Sequence, residues 1–212
     1  MRRAALTFAL AIALLAWPGV SAVAADPTVR ATSEPADLFL PGTVWIKPGH
    51  TVHWHNDGTG QHNVCFGSSA NCIGGAPVTH TPSSAQWDAQ RTFNAQGTFK
   101  YFCSEHSDGI SGMVGKVVVD GKAPVITKLS VKLPNVRFHL SEAAKVFGDV
   151  RRDKPGTTFK QVFGPLQRKA GDRSVSYSGS GLAKGSYILR LRARDAAGNA
   201  AKPVTAKFTN AG

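Results

Sequence analysis

The sequence predicts an all-β protein of two sandwich-like units behind a leader peptide, and three observations carry that reading. Short runs of β-branched and aromatic residues recur along the chain, each closed by Gly, Pro, Asn or Asp. Between residues 26 and 120 no stretch shows an amphipathic helical period of convincing length. Charge then changes abruptly: residues 26–120 hold five Lys and Arg against eight Asp and Glu, a net of −3, whereas residues 121–212 hold eighteen against five, a net of +13. The histidines divide the opposite way, since of seven only His139 lies beyond residue 120. Regions of such different chemistry are read as separate units, of which the first bears the site.

The leader comes first in the chain. Met1, Arg2 and Arg3 make a positive start, residues 4–16 are an apolar run, and Trp17-Pro18-Gly19 breaks it before small residues lead to Ala25. That order is the pattern of a secretory signal peptide over residues 1–25, cleaved before Asp26. The run is short for a bilayer span, so a retained anchor is the weaker alternative. No later segment is apolar enough to span a membrane. The expected product is therefore exported: periplasmic, extracellular or attached to the cell envelope, with no transmembrane segment.

Within residues 26–120, the strand at 44–46 leads into a turn at Lys47-Pro48-Gly49. Residues 51–55 then alternate, with Val52 and Trp54 on one face and His53 and His55 on the other. Asn56-Asp57-Gly58 closes that strand. Residues 97–102 and 114–119 read as strands bracketing 103–113, and the stretch 68–84 as a long loop with at most one short strand. Residues 121–124 read as a linker, because they follow a completed strand and coincide with the charge shift.

Residues 125–212 repeat the strand and turn pattern, with strands expected at 125–133, 158–163, 174–178, 185–193 and 204–208. Tyr187, Leu189, Leu191 and Ala193 alternate with mostly basic residues, the mark of a half-buried strand with a solvated face. Residues 141–150 fit either a short helix or a strand. The segments 182–187 and 195–199 resemble the closing strands of bacterial immunoglobulin-like or fibronectin type III-like modules, which implies a second sandwich.

The chemistry concentrates in Cys103-Ser104-Glu105-His106, Met113 and the upstream His62-Asn63-Val64. One thiolate, two imidazoles and one thioether form the donor set of a mononuclear type 1 copper site. A soft thiolate with two imidazoles suits both Cu(I) and Cu(II), while a weak axial thioether tunes the potential. Residues 43–120 resemble the plastocyanin and pseudoazurin group of cupredoxins. The resemblance is carried by Ile46-Lys47-Pro48-Gly49, Val52, Trp54, His62-Asn63-Val64, residues 97–106 and Gly112-Met113-Val114-Gly115-Lys116-Val117. It implies a Greek-key β-sandwich with one copper per chain, His62, Cys103 and His106 as equatorial ligands and Met113 as the axial one. It also implies that Asn63 and Ser104 tie the two ligand loops together beside the thiolate. Three departures stand out. Six residues separate His106 from Met113, more than in plastocyanins; Phe102 replaces a Tyr, and Glu105 replaces a Pro beside the expected electron exit at His106.

Cys65 and Cys72 remain. In an oxidising compartment they read as a disulfide, the alternatives being two free thiols or Cys65 as a ligand of a dinuclear site. The dinuclear alternative fails on spacing, since it needs two cysteines on the loop of Cys103. His50, His53 and His55 are exposed polar residues or a weak second metal site, and His80 has no assigned role.

Function follows as an expectation: an exported one-electron carrier, not an enzyme, that meets redox partner proteins at His106. A copper-delivery protein is the alternative, but beyond the leader Met113 is the only methionine. A copper oxidase would need an additional site formed in an oligomer from His50, His53 or His55. The basic second unit suits an anionic envelope component, and without interleaved aromatics it does not suggest nucleic acid.

Overall fold

The computed structural model describes residues 26–212, and the leader expected over residues 1–25 lies outside them. Among the described residues no helix forms, and sixteen strands build four sheets.

The first nine strands are β1 (Thr28–Thr32), β2 (Leu38–Leu40), β3 (Thr43–Ile46), β4 (His50–Asn56), β5 (Val64–Cys65), β6 (Cys72–Gly74), β7 (Trp87–Phe93), β8 (Gly97–Ser107) and β9 (Gly112–Val119). One sheet runs β2-β1-β4-β7 and the other β3-β9-β8-β5-β6, with the chain crossing between them in the Greek-key manner. The pairs β1 with β4 and β3 with β9 are parallel, which only such crossovers allow. Alternation fills the space between the sheets. Val52, Trp54 and Asn56 of β4 point inward while His53 and His55 face out. Trp54 packs edge-on to Tyr101 at 5.3 Å and to Phe66 at 5.8 Å, an aromatic centre to which Phe39 and Phe93 add. Geometry of this kind contributes beyond simple area burial.

The other seven strands are β10 (Ile126–Lys132), β11 (Asn135–Leu140), β12 (Ala144–Arg152), β13 (Lys160–Arg168), β14 (Gly171–Ser176), β15 (Gly185–Arg194) and β16 (Val204–Asn210). They form sheets β10-β11-β14 and β13-β12-β15-β16 over a separate core. Tyr187, Leu189, Leu191 and Ala193 of β15 are buried in it. Residues 141–150 resolve as strand rather than helix: from residue 144 onward they lie in β12, paired with β13 on one side and β15 on the other.

Three expectations need correction. The strand that carries Cys103 does not stop at residue 102 but runs to Ser107. The strand expected at 158–163 starts later and continues to Arg168. Finally, the expected strand set lacked β1, β2, β7 and β11, although β11 alternates strictly, with Val136, Phe138 and Leu140 buried between Asn135, Arg137 and His139. Residues 121–124 form no strand, and Asn199 reaches across from the second sandwich to donate to the Asp120 carbonyl at 2.8 Å.

Candidate metal centre

Cys103 lies mid-strand in β8, pointing inward like Tyr101 two residues before it, and its thiol is free and buried. His62 follows β4 in a loop that a single bridge to Ser83 holds against the sandwich, and it is also wholly buried. His106 follows Cys103 on the same strand, its side chain 25% exposed. Nδ1 of His62 stands 3.9 Å from Cys103 Sγ and Nδ1 of His106 stands 3.6 Å from it, with the two rings 5.1 Å apart. These are the separations of donors about 2.0–2.3 Å from one shared ion at a wide angle, so the residues fit a metal without rearrangement.

Register explains how the fourth residue arrives. Phe102 pairs with Val114 and Ser107 with Gly112, so Met113 alone faces the four residues 103–106 across an irregular stretch of the β8–β9 ladder. Met113 is fully buried in the same core cluster as Cys103. Gly112 makes the bend possible: its φ is +81°, and a Cβ there would lie 2.2 Å from the His106 carbonyl oxygen.

Polar side chains behind these residues are satisfied by one another. The Ser104 N–H donates to Asn63 Oδ1 at 2.9 Å, and Asn63 Nδ2 donates to Ser104 Oγ at 2.9 Å and to the His80 carbonyl at 3.0 Å. Asn63 is 1% exposed, so these bonds operate where water does not compete. Trp87 Nε1 donates to the His62 carbonyl at 3.1 Å, fixing the loop from its other side. Cys65 and Cys72 form a disulfide that joins β5 to β6 directly after the His62 loop.

Electrostatics favour a neutral, ligating imidazole at His62. Burial holds its pKa below the usual histidine range, the neighbouring His106 pushes the same way, and Asp37 and Asp57 oppose them.

Ser33 and Asp37 were not among the residues singled out in the sequence, yet both approach this group. Ser33 Oγ is 3.1 Å from His62 Nε2, and Asp37 Oδ1 is 3.9 Å from His106 Nε2. They lie between two unread strands, so the sequence held no periodic signal for them. His53 and His55 stay apart from the group on the outer face of β4, and His50 opens that strand at its far end; His50 pairs with Asp26 and His55 with Asp88, each at 2.8 Å. Among the described residues the only other cluster of three potential metal donors is Asp120, Glu142 and Asp195.

A mixed β-sandwich that brings a buried thiol and two imidazoles together, with a buried methionine in the same core, has the make-up of a cupredoxin, and the comparisons with known proteins agree. The family model for copper binding proteins of the plastocyanin/azurin family matches residues 28–120. Chloroplastic plastocyanin of Tetradesmus obliquus is 34% identical over 107 residues, covering 47% of this chain and 70% of that protein. Plastocyanin of Scenedesmus fuscus is 30% identical over 102 residues, covering 44% of this chain and 99% of that protein. Among solved structures, amicyanin from Paracoccus versutus is 29% identical at a TM-score of 0.34, covering 47% of this chain and 86% of that one. Through residues 28–120 the chain belongs to the plastocyanin/azurin family of copper binding proteins. Its cofactor is copper.

Proposed function

We propose that this chain is an exported one-electron carrier with one type 1 copper, which His62, Cys103, His106 and Met113 would hold. The observation that carries this reading is the convergence of both Nδ1 atoms on one buried thiol sulfur. Bound copper supplies the redox couple, taking up and releasing a single electron. The chain does the rest. Asn63, Ser104 and Trp87 brace the segments that carry His62 and Cys103, so the donors would be held against rearrangement when the electron moves. Cys103 gives a covalent route into the site. His106, the partly exposed imidazole, is the contact for a redox partner protein, whereas His62 is sealed.

Carrier rather than enzyme is the reading because residues 121–212 hold a single histidine, His139, and no cysteine, too few donors for the additional copper a copper oxidase needs. The unit at residues 26–120 bears the site, residues 121–124 link it onward, and the basic unit at residues 125–212 attaches to an anionic envelope component. Two arginines of that unit are already engaged, since Arg190 and Arg192 both bond Asp149. Arg151, Arg152 and Lys160 line a groove on the same sandwich and add positive charge there. Among the described residues no helix is long and apolar enough to cross a membrane.

The test is reconstitution with one equivalent of Cu(II), recording visible absorption and electron paramagnetic resonance together beside a Cys103→Ala control. An intense thiolate-to-copper band with narrow parallel hyperfine splitting, lost in the control, is expected. A pale spectrum with wide splitting defeats the carrier reading. Loss of retention on an anionic polymer at raised salt checks the attachment.

A further inference from the structure

Ser33 and Asp37 lie on the β1–β2 loop, outside the residues that would touch copper. Ser33 Oγ donates to Asp37 Oδ1 at 2.5 Å while standing 3.1 Å from His62 Nε2, and the same carboxylate oxygen lies 3.9 Å from His106 Nε2. Both imidazoles turn Nδ1 toward the thiol sulfur. An imidazole that ligates through Nδ1 carries its proton on Nε2, so both rings present an N–H donor away from the metal. One carboxylate oxygen therefore faces both donors: across a short gap to His106, and through the serine hydroxyl to His62.

The surroundings hold this arrangement in place. The Ser33 N–H donates to Thr59 Oγ1 at 2.9 Å, and Thr59 is itself clamped by Asp57, donating from N at 3.0 Å and from Oγ1 at 2.6 Å. The β1–β2 loop is thus pinned to the loop that leads into His62. Gly60 leaves the space in which the hydroxyl meets the ring, since a Cβ there would lie 1.9 Å from Ser33 Oγ and 2.9 Å from His62 Nε2. A tethered serine hydrogen-bonded to a carboxylate, with a residue that has no side chain beneath it, meets the outer nitrogen of His62, and the carboxylate stands 3.9 Å from that of His106.

We propose that Ser33 and Asp37 are positioning residues that form a hydroxyl–carboxylate relay to both copper-binding imidazoles, orienting the rings and favouring Cu(II) over Cu(I). This rests on the type 1 reading above. An anionic acceptor on the distal N–H makes an imidazole a stronger donor to the metal. A nearby negative charge also favours the oxidation state of higher positive charge. The relay acts most strongly on His62, which is wholly buried; the direct approach to His106 is screened, since Asp37 is 42% exposed there.

The test compares reduction potentials of the copper-loaded full chain with those of Asp37→Asn, Ser33→Ala, Gly60→Ala and Glu105→Gln, with visible spectra and zinc affinity of each apoprotein as second readouts. Asp37→Asn is expected to raise the potential by the equivalent of about a ten-fold loss of Cu(II) affinity relative to Cu(I), which is about 59 mV for one electron, with the blue band retained. Ser33→Ala and Gly60→Ala should move it in the same direction by less. Combining Ser33→Ala with Asp37→Asn should add less than the sum of the two. Glu105→Gln removes the same charge from the neighbour of His106 without touching either ring, and should move the potential less than half as far. Equal shifts from Asp37→Asn and Glu105→Gln would make Asp37 an ordinary surface charge and overturn the relay. So would shifts below two-fold from both Ser33→Ala and Asp37→Asn. If Asp37→Asn does not accumulate as folded protein, Ser33→Ala and Gly60→Ala decide by that criterion. A wild-type chain without the blue band overturns the type 1 reading and the relay with it, whereas a blue wild type with unmoved variants overturns the relay alone.

Discussion

The two sandwiches treat buried polarity in opposite ways. In the first, Thr32, Asn56, His62 and Asn63 are at most 1% exposed, deep among Val29, Val52, Trp54 and Val64. In the second the fully enclosed side chains are apolar, Val136, Leu140, Val146, Leu189 and Leu191 among them. Its polar groups sit nearer the edge: Asp195 and Asn199 close a turn, and Asn210 donates to the Leu182 carbonyl at 2.8 Å. A buried polar group is costly unless it is bonded, so a sandwich that keeps several inside is shaped around them. The second sandwich has no such requirement and reads as a scaffold for surface charge. Asp149 is its exception, a 3% exposed carboxylate that both Arg190 and Arg192 bond.

That exception gives the largest expected effect. Asp149→Ala should destabilise the second sandwich by roughly 2–3 kcal/mol, less than a fully buried pair would lose because the arginines reach solvent, and should leave the copper spectrum unchanged. The bond from Arg192 holds the Asp149 carboxyl below its ordinary 3.8, burial opposes this, and Arg190 adds to the lowering. Its contribution is therefore present above pH 3.8 and disappears as pH falls through the lower folded value. Thermal unfolding of wild type and variant between pH 6 and pH 2, roughly the span over which carboxylates protonate, checks this, since the two should converge at the acid end. Loss of the blue band in the variant would show that the sandwiches are not independent.

Next in size, Cys65→Ser with Cys72→Ser should cost about 2 kcal/mol through the closed loop alone, and only in the first sandwich. Denaturant unfolding followed by Trp fluorescence and by the copper band measures it in the first sandwich, which holds Trp45, Trp54 and Trp87, while hydrogen exchange of the β15 amides follows the second, which holds no Trp. Coincident changes in the second sandwich would break the contrast.

The smallest effect lies where the sandwiches meet. Burial raises the pKa of Glu142 above its ordinary 4.5, and the nearby Asp120 and Asp195 add to it. A raised carboxyl favours folding below 4.5 and opposes it as pH climbs through the raised value. Glu142→Gln should therefore stabilise the chain at neutral pH by a few tenths of a kcal/mol, read as a small rise in Tm that vanishes in acid.

Legibility followed sequence distance. The segment from Cys103 to Met113 could be read because its donors are neighbours along one strand and the next. β15 could be read because its alternation is strict, and the charge boundary at residue 120 because composition alone shows it. β12 could not be decided, since Ala144, Val146 and Val150 interleave with Gly148 and Asp149, which are buried as well. Only the partners on both sides make that run a strand. Ser33 and Asp37 were invisible for the same reason: nothing within five residues of them indicates an imidazole.

By itself the sequence determined the donor types, their order, the all-β alternation and the placement of charge, because each of these is a property of residues close together in the chain. The tertiary structure decided which atoms meet. It brought Cys103 to a histidine 41 residues away, and Ser33 to that same histidine across 29. Closing loops of that length costs conformational entropy that no local preference offsets, so such contacts exist only once sheet register and core packing hold the strands together.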